Sequence, residues 1–521
     1  MSAGTLTPRR AGAPVAPGGS HRGFWQLVRA EWTKFRTVRG WVAGVIVAGL
    51  LVTGIGLLGH SECGGQAGPN APVVTGGPEC SSPLGPGGEA VTDDFYLVHQ
   101  PLGVDGSITV RLTSMTGSRL QPWSKAGIIV TASTVPGSAY AAMMVTAGHG
   151  VRMQWDYTQD TPGLAGAVGP ASPRWLRLVR AGDTVTGYDS ADGTHWDRVG
   201  SATLGGLPSV AQAGLFAASP DYSNVTSQSI GGGSGSGGTT QATATLDHVT
   251  VTGAPAGGRW AGTAVGGAAA AEGPSGSSLD GYRRSAQEFS VSGSGDIAPV
   301  AAAGDGSVAQ PIVGTFAGLI ALAVVAAMFI TTEYRRGLIR VTLSASPRRG
   351  RVLAAKAVVV GAVAFVVGLP AAWAAQLIAE PMARSRGIFI DPVSTLTEIR
   401  ILAGTAALLA VAAVLALAVG ALLRRGAAAV TAAIVVVVLP YFFASPLAVL
   451  PAGAADWLLR VTPAAAFAIQ QPYPAYPQVA MQYTPQNGYY PLAPWAGLAV
   501  LCGWTALALG LAAYRLRRAD A

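Results

Sequence analysis

Residues 331–356 read Thr-Thr-Glu-Tyr-Arg-Arg-Gly-Leu-Ile-Arg-Val-Thr-Leu-Ser-Ala-Ser-Pro-Arg-Arg-Gly-Arg-Val-Leu-Ala-Ala-Lys. One carboxylate, Glu333, stands among Arg335, Arg336 and Arg340; Gly337 and Pro347 interrupt the run, and Arg351 and Lys356 follow. Such a set can form ion pairs, locally or with a partner chain, and arginines on a short helix make a mechanical contact for another protein. It does not make a reaction centre. A phosphate-cradling loop needs Gly-Lys-Ser/Thr, and none of the three lysines, Lys34, Lys125 and Lys356, follows a glycine. No His precedes a Glu, and Gly-x-Ser-x-Gly is missing. No catalytic residue and no metal-ligand set is expected, and this chain binds no cofactor of its own.

The elements that position these residues follow from composition. The chain has 521 residues, 50% hydrophobic and only 12% charged, about half the charge of a soluble domain. That excludes a soluble enzyme of this length, and the apolar fraction excludes overall disorder. A bilayer core of about 30 Å needs about 20 apolar residues per helix. Stretches of that kind lie at 41–59, 312–332, 352–378, 401–423, 427–449 and 493–514. The first starts after 40 residues and lacks a small-residue cleavage site, so it reads as a retained span rather than a signal peptide.

Orientation follows from the basic residues in the short connections. Nineteen lie on one side (seven in 1–40, seven in 331–357, Arg424, Arg425, Arg515, Arg517 and Arg518) against Arg384, Arg386, Arg400 and Arg460 on the other. That ratio puts both termini in the cytoplasm. The net charge of +8 divides into −8 over residues 60–310 (11 basic, 19 acidic) and +16 over the rest (23 basic, 7 acidic). The basic excess flanks apolar segments, so it implies a lipid bilayer and no nucleic acid. Arginine makes up all but three of the 34 basic residues, which reads as coding in a GC-rich bacterial genome. The expected location is the bacterial plasma membrane, multi-pass.

Residues 60–310 then lie outside. Residues 60–90 form a Gly/Pro-rich stalk holding Cys63 and Cys80, which either pair in a disulfide or stay as thiols. Over 91–254 short alternating runs bounded by Gly, Pro, Asp and Ser predict strands of a two-sheet sandwich. The stretch Trp175-Leu-Arg-Leu-Val-Arg through Asp192-Gly-Thr-His-Trp196, with Asp93-Asp-Phe95 and Gly214-Leu-Phe216, resembles concanavalin-like (laminin-G-like) jelly rolls. The resemblance implies a glycan- or protein-binding domain, with Trp155, Tyr157, Trp175 and Trp196 as the ligand platform, or else as core. A glycosidase needs two facing carboxylates, and no Glu lies between Glu89 and Glu272. Residues 255–310 and the glycine run 231–238 read as flexible linkers.

The Glu333–Gly337–Pro347–Arg351–Lys356 spacing after the second span resembles the permease subunits of type-2 ABC exporters. Leu27-Val-Arg-Ala-Glu-Trp-Thr-Lys-Phe-Arg-Thr-Val-Arg39 is similar to that family's entry helix, and Trp457-Leu-Leu-Arg-Val-Thr-Pro-Ala-Ala-Ala-Phe467 to its outer re-entrant segment. The resemblance implies an α-helical polytopic membrane protein with six transmembrane helices, and an extracellular all-β jelly roll inserted between helices one and two. In this reading residues 1–22 are a disordered cytoplasmic tail and 23–40 an amphipathic entry helix at the headgroup surface. That helix carries Trp25, Glu31, Trp32, Lys34 and Arg36; residues 41–59 are the first span, and 311–521 hold the other five. The resemblance further implies an ATP-binding partner subunit that holds ATP and Mg, and a second permease chain, identical or different. Glu333, Arg335, Arg336, Gly337, Arg340, Pro347, Arg351 and Lys356 would then be the contact with that ATPase. The rival reading is a membrane-anchored glycan-binding or sensing protein without transport.

Overall fold

A computed structural model describes residues 20–58, 82–229, 232–255, 258–266, 280–285, 288–300, 307–337, 349–385, 390–444, 450, 452–479, 483–485 and 488–518. The tail 1–19 and most of the stalk, with Cys63 and Cys80, lie outside the described residues.

Helix α1 (Ser20–Thr37) and helix α2 (Arg39–Leu58) meet at Val38, so the entry helix spans 20–37 rather than 23–40. Then come α3 (Thr315–Arg335), α4 (Arg349–Ser385), α5 (Thr395–Leu423), α6 (Gly426–Val437), α7 (Leu439–Phe443), α8 (Ala452–Val461) and α9 (Pro494–Arg518). Six helices among the described residues are long and apolar enough to cross a membrane, α6 and α7 counting together as one. Pro440, with no N–H to donate, falls at the break between those two. Helix α4 runs 37 residues through Pro370 and Pro381, about 55 Å at 1.5 Å per residue, so it extends well beyond an apolar core of about 30 Å.

Small residues let these helices close on one another. A Cβ on Gly56 would lie 1.7 Å from the Pro311 carbonyl oxygen, so only glycine allows α2 to meet the start of the next span. The 3-10 segment Pro463–Gln470 is buried from Pro463 to Ile469. Gly497 of α9 admits it, since a Cβ there would sit 2.1 Å from the Ala465 carbonyl. It overlaps the stretch Trp457–Phe467 whose sequence resembles a re-entrant segment, the first part of which belongs to α8.

In chain order, two seven-stranded sheets lie between α2 and α3. The first runs Asp197–Thr203, Thr184–Ser190, Arg174–Ala181, Asp105–Ser118, Gln241–Thr252, Glu288–Gly293, Gly281–Ser285. The second runs Ala261–Val265, Phe95–Leu102, Ala211–Ala218, Lys125–Thr131, Tyr140–Thr146, Gly150–Trp155, Gln159–Pro162. All strand pairs are antiparallel, and both sheets contribute side chains to one core.

The sandwich does not end at residue 254. Four strands fall within the expected linker, among them Glu288–Gly293, which pairs with Gln241–Thr252 and buries Phe289 and Val291. Ile297–Pro299 pairs with Val91–Asp93 and closes the domain on its own beginning. A Gly/Ser-rich composition hid a period-two pattern carried by two large apolar residues. The glycine run is likewise a strand over Gly232–Gly238, paired with Tyr222–Ser229. Inside the domain, Lys125 is fully buried; its Nζ lies 2.6 Å from Asp296 Oδ1 and donates to the Ile297 carbonyl at 2.9 Å.

The domain also touches the helical part. Gln478, between α8 and α9, donates its amide N–H groups to the carbonyls of Tyr157 and Thr158, both at 3.2 Å.

If 288–293 is a core strand, Phe289→Ala should cost about 3–5 kcal/mol. Urea unfolding of the full chain, followed by proteolysis of the sandwich, measures this; a silent substitution would restore the linker reading.

Candidate functional site

Helix α1 places Glu31 and Lys34 one turn apart, and Phe35 follows four residues after Glu31. Glu31 and Phe35 point into the bundle. Glu333 is in the last turn of α3, at the opposite end of that helix from the sandwich, and Lys356 lies two turns into α4. These four charges meet. Lys356 Nζ donates to Glu31 Oε2 at 2.6 Å and to Glu333 Oε1 at 2.8 Å. Lys34 Nζ donates to Glu31 Oε1 at 2.9 Å and to the same Glu333 oxygen at 3.3 Å. Lys356 is 0% exposed, Glu31 3% and Glu333 6%.

Aromatic rings floor the site. Phe329 lies 4.4 Å below the Lys356 ammonium and packs edge-on against Phe35 and Trp41, at 5.5 and 4.9 Å. Two cations and two anions make the ring neutral, the condition under which buried charge is tolerable. A compact ammonium can be surrounded by two carboxylates and a ring face, which a planar guanidinium fork cannot match. Burial pulls the Lys34 ammonium down, but the Glu31 and Glu333 carboxylates outweigh it and hold Lys34 above its ordinary value of 10.5. One atom is left over: Glu333 Oε2 is buried and has no hydrogen-bond partner among the described residues.

Glu333 therefore pairs with the two lysines and, among the described residues, with neither Arg335 nor Arg336. Arg335, Arg336 and Gly337 stand exposed beyond it, Gly337 in a left-handed conformation (φ +69°) just past the helix end. Arg351 is half-buried in the first turn of α4; Arg340 and Pro347 lie outside the described residues. In α1, Trp25 and Arg36 are exposed. Trp32 is partly exposed, stacks on Phe35 and lines a groove with Val359, Val363 and Val367 of α4. Glu31, read as one surface residue of an interfacial helix, is the buried partner of Lys356. A signal for it existed: Glu31 is the sole acidic residue before Glu62.

The expected aromatic platform does not assemble. Tyr157 is 1% exposed and donates its hydroxyl to Asp93 Oδ2 at 2.8 Å, so it is core. Trp155 lies on the other sheet and packs against its core. Trp175 and Trp196 both lie against the Gly193 turn: the Trp175 ring packs on Gly193, and Trp196 Nε1 donates to the Gly193 carbonyl at 3.2 Å. Cations cover their faces: Arg177 lies 3.8 Å from the Trp196 centroid and Arg111 5.8 Å from that of Trp175. Asp192 caps that turn, accepting from the Thr194 and His195 backbone N–H groups at 2.7 and 2.8 Å. Its turn and His195 partners hold its carboxyl well below the usual range.

Asp93 is different. Burial pushes its carboxyl up to about 6, against the Tyr157 and Gly137 hydrogen bonds that favour the charged form.

Compared with known proteins, residues 179–521 match the family described as "ABC-2 family transporter protein". No curated protein matches. Among solved structures, a GH43 protein of Bacillus licheniformis, BlXynB, is 17% identical over 22% of this chain and 24% of its own length, with a TM-score of 0.18. The chain thus spans about a quarter of that protein. A protein of unknown function from Saccharomyces cerevisiae is 18% identical over 30% of this chain and 73% of its own, with a TM-score of 0.19. Scytalido-glutamic peptidase, bound to a transition-state analogue inhibitor, is 8% identical over 40% of this chain and 100% of its own, with a TM-score of 0.24.

Two predictions follow the geometry. Lys356→Ala leaves two buried carboxylates with one shared cation and should cost about 3–5 kcal/mol in thermal unfolding of the detergent-solubilised chain; Lys356→Arg should recover little of it. For Asp93, the folded state holds the proton more tightly than the unfolded chain, whose value is near 3.8. Stability should therefore fall as pH rises through about 4 to 6, with the cost fully present above 6. Asp93→Asn should flatten that difference, measured as unfolding midpoints of the two chains from pH 4 to 8.

Proposed function

The chain belongs to the ABC-2 transporter family, and from that membership we propose that it is the membrane-spanning permease subunit of an exporter driven by a separate ATP-binding chain. The observation that carries the coupling mechanism is the buried four-charge ring. It ties the amphipathic entry helix α1 to the ends of α3 and α4, so a push on the exposed residues beside it is delivered to two spans at once. Arg335, Arg336 and Gly337, with Arg351 of the same connection, offer the pushing surface, and in this reading the contact with the ATPase extends to Arg340 and Pro347. Glu333 and Lys356 are the joint behind it.

In this reading the basic connections face the cytoplasm and both termini lie there. The sandwich stands outside, above the exit of a pathway formed by two permease chains. ATP and Mg reside on the partner, where hydrolysis occurs; this chain supplies the path and the lever. Spans nearly free of ionisable residues suit a lipophilic or amphiphilic cargo. The sandwich binds or docks, on cell-wall glycan or an extracellular protein, and Gln478 anchors it to the bundle. Family membership supports this reading over the rival of a membrane-anchored glycan-binding or sensing protein without transport.

Replacing Arg335 and Arg351 together with Ala should lower transport-stimulated ATP turnover several-fold with insertion and unfolding temperature unchanged, since neither enters the charge ring. Unchanged turnover would remove the coupling role. Affinity purification in mild detergent with nucleotide should recover an ATP-binding chain, and repeated failure would count against the exporter. Deleting residues 82–300 as a unit should leave that recovery intact; a cut at 254 would strand four of the sandwich's strands.

A further inference from the structure

A cavity of about 850 Å³ opens between α2 and α3, beside the charge ring. Its walls are apolar, formed by Trp41, Gly44 and Val47 of α2 and by Val324, Val325 and Met328 of α3. One end is not. Lys34, Thr332, Glu333 and Arg336 close it.

The volume lies in the range of cavities that hold small-molecule ligands, about 300–1,000 Å³. In a membrane-spanning bundle, an apolar groove alongside two spans is filled by a lipid chain more favourably than by water. Its polar end selects the headgroup. Arg336 is exposed and Lys34 partly so, two cations suited to a phosphate. Glu333, which lines the groove, presents one carboxylate oxygen to the lysines, and its Oε2 has no donor among the described residues; a buried acceptor without a partner costs about 1–3 kcal/mol or more. A phosphate beside a hydrogen-bond-donating cation answers both features. A phosphocholine headgroup has no N–H to give, and a phosphoglycerol headgroup brings no cation to the carboxylate.

We propose that this groove is a binding site for a resident phospholipid bearing a primary ammonium, phosphatidylethanolamine, with its phosphate on Lys34 and Arg336, its ammonium on the Glu333 carboxylate, and an acyl chain along the α2–α3 wall. The lipid then adds a fifth charged member to the joint between α1, α3 and α4. The site rests on the chain spanning a bilayer and not on the direction of transport.

The test is lipid retention by the full-length chain, purified in mild detergent and supplied with equal amounts of phosphatidylethanolamine, phosphatidylglycerol and phosphatidylcholine, read by native mass spectrometry. The wild-type chain should keep phosphatidylethanolamine about tenfold over the other two, a difference of about 1.4 kcal/mol. Retention should fall stepwise as the wild-type chain is offered mono-, di- and trimethylated ethanolamine headgroups, which remove N–H donors without touching the protein. Gly40 lines the groove, and a Cβ there meets nothing within 4 Å; Gly40→Phe should therefore fill the groove and abolish retention while the chain stays folded. Arg336→Gln should weaken retention of all three phosphate-bearing lipids. Equal retention of the three lipids, indifference to methylation, or unchanged retention in Gly40→Phe would overturn the site. So would efficient cross-linking of Val47→Cys chains in lipid-free preparations, which would assign the groove to a second copy. Loss of the lipid on each ATP cycle would make it cargo rather than a resident ligand.

Discussion

Taking a charge out of water costs several kcal/mol, and at the ends of apolar helices that cost is recovered only when opposite charges meet at hydrogen-bond distance. Glu31, Lys34, Glu333 and Lys356 satisfy the condition together and could not do so singly. Much of the helical architecture follows from it. Glu31 fixes which face α1 turns inward, Glu333 fixes where α3 must end relative to α4, and Lys356 sets the depth of α4. Phe329, Phe35 and Trp41 then pack around an ammonium that can no longer move. An electrostatic constraint holds the entry helix on the bundle; its apolar side chains alone would leave it free to slide in the headgroup layer.

The same logic recurs in the sandwich. Lys125 is buried between the second sheet and the closing strand, where Asp296 and the Ile297 carbonyl surround its ammonium. All three lysines of an arginine-rich chain thus sit in ion pairs, two of them fully buried and the third at the edge of the ring. The ammonium is small and can be enclosed from several directions; guanidinium prefers planar partners and open surface. The arginines of the α3 end and of the sheet face around Trp175 and Trp196 show the other behaviour, staying exposed or lying over rings.

The sandwich and the bundle form a docked pair. The Tyr157–Thr158 turn contributes two carbonyls to Gln478, and Tyr157 reaches this turn with a left-handed φ of 58°. Its side chain goes inward to Asp93, so the turn cannot rotate without breaking a buried hydrogen bond. A residue that looks like an exposed aromatic in the sequence therefore serves to stiffen the surface that meets the helices.

The sequence by itself determined the membrane class and the apolar segments, because a bilayer demands about 20 consecutive apolar residues and nothing in water does. It determined that a β domain precedes the second span, through period-two alternation, and it singled out Glu333 and Lys356 by their place at helix ends. It could not say that Glu31 joins them, since residues 31, 333 and 356 meet only once three helices pack. It could not see that 288–293 is a core strand, because two large residues in a Gly/Ser background give little signal until a neighbouring strand supplies the other half of the ladder. Nor could it tell Tyr157 from Trp175 as core or surface. Periodicity assigns a residue to a face, but which face is covered is decided by what packs against it.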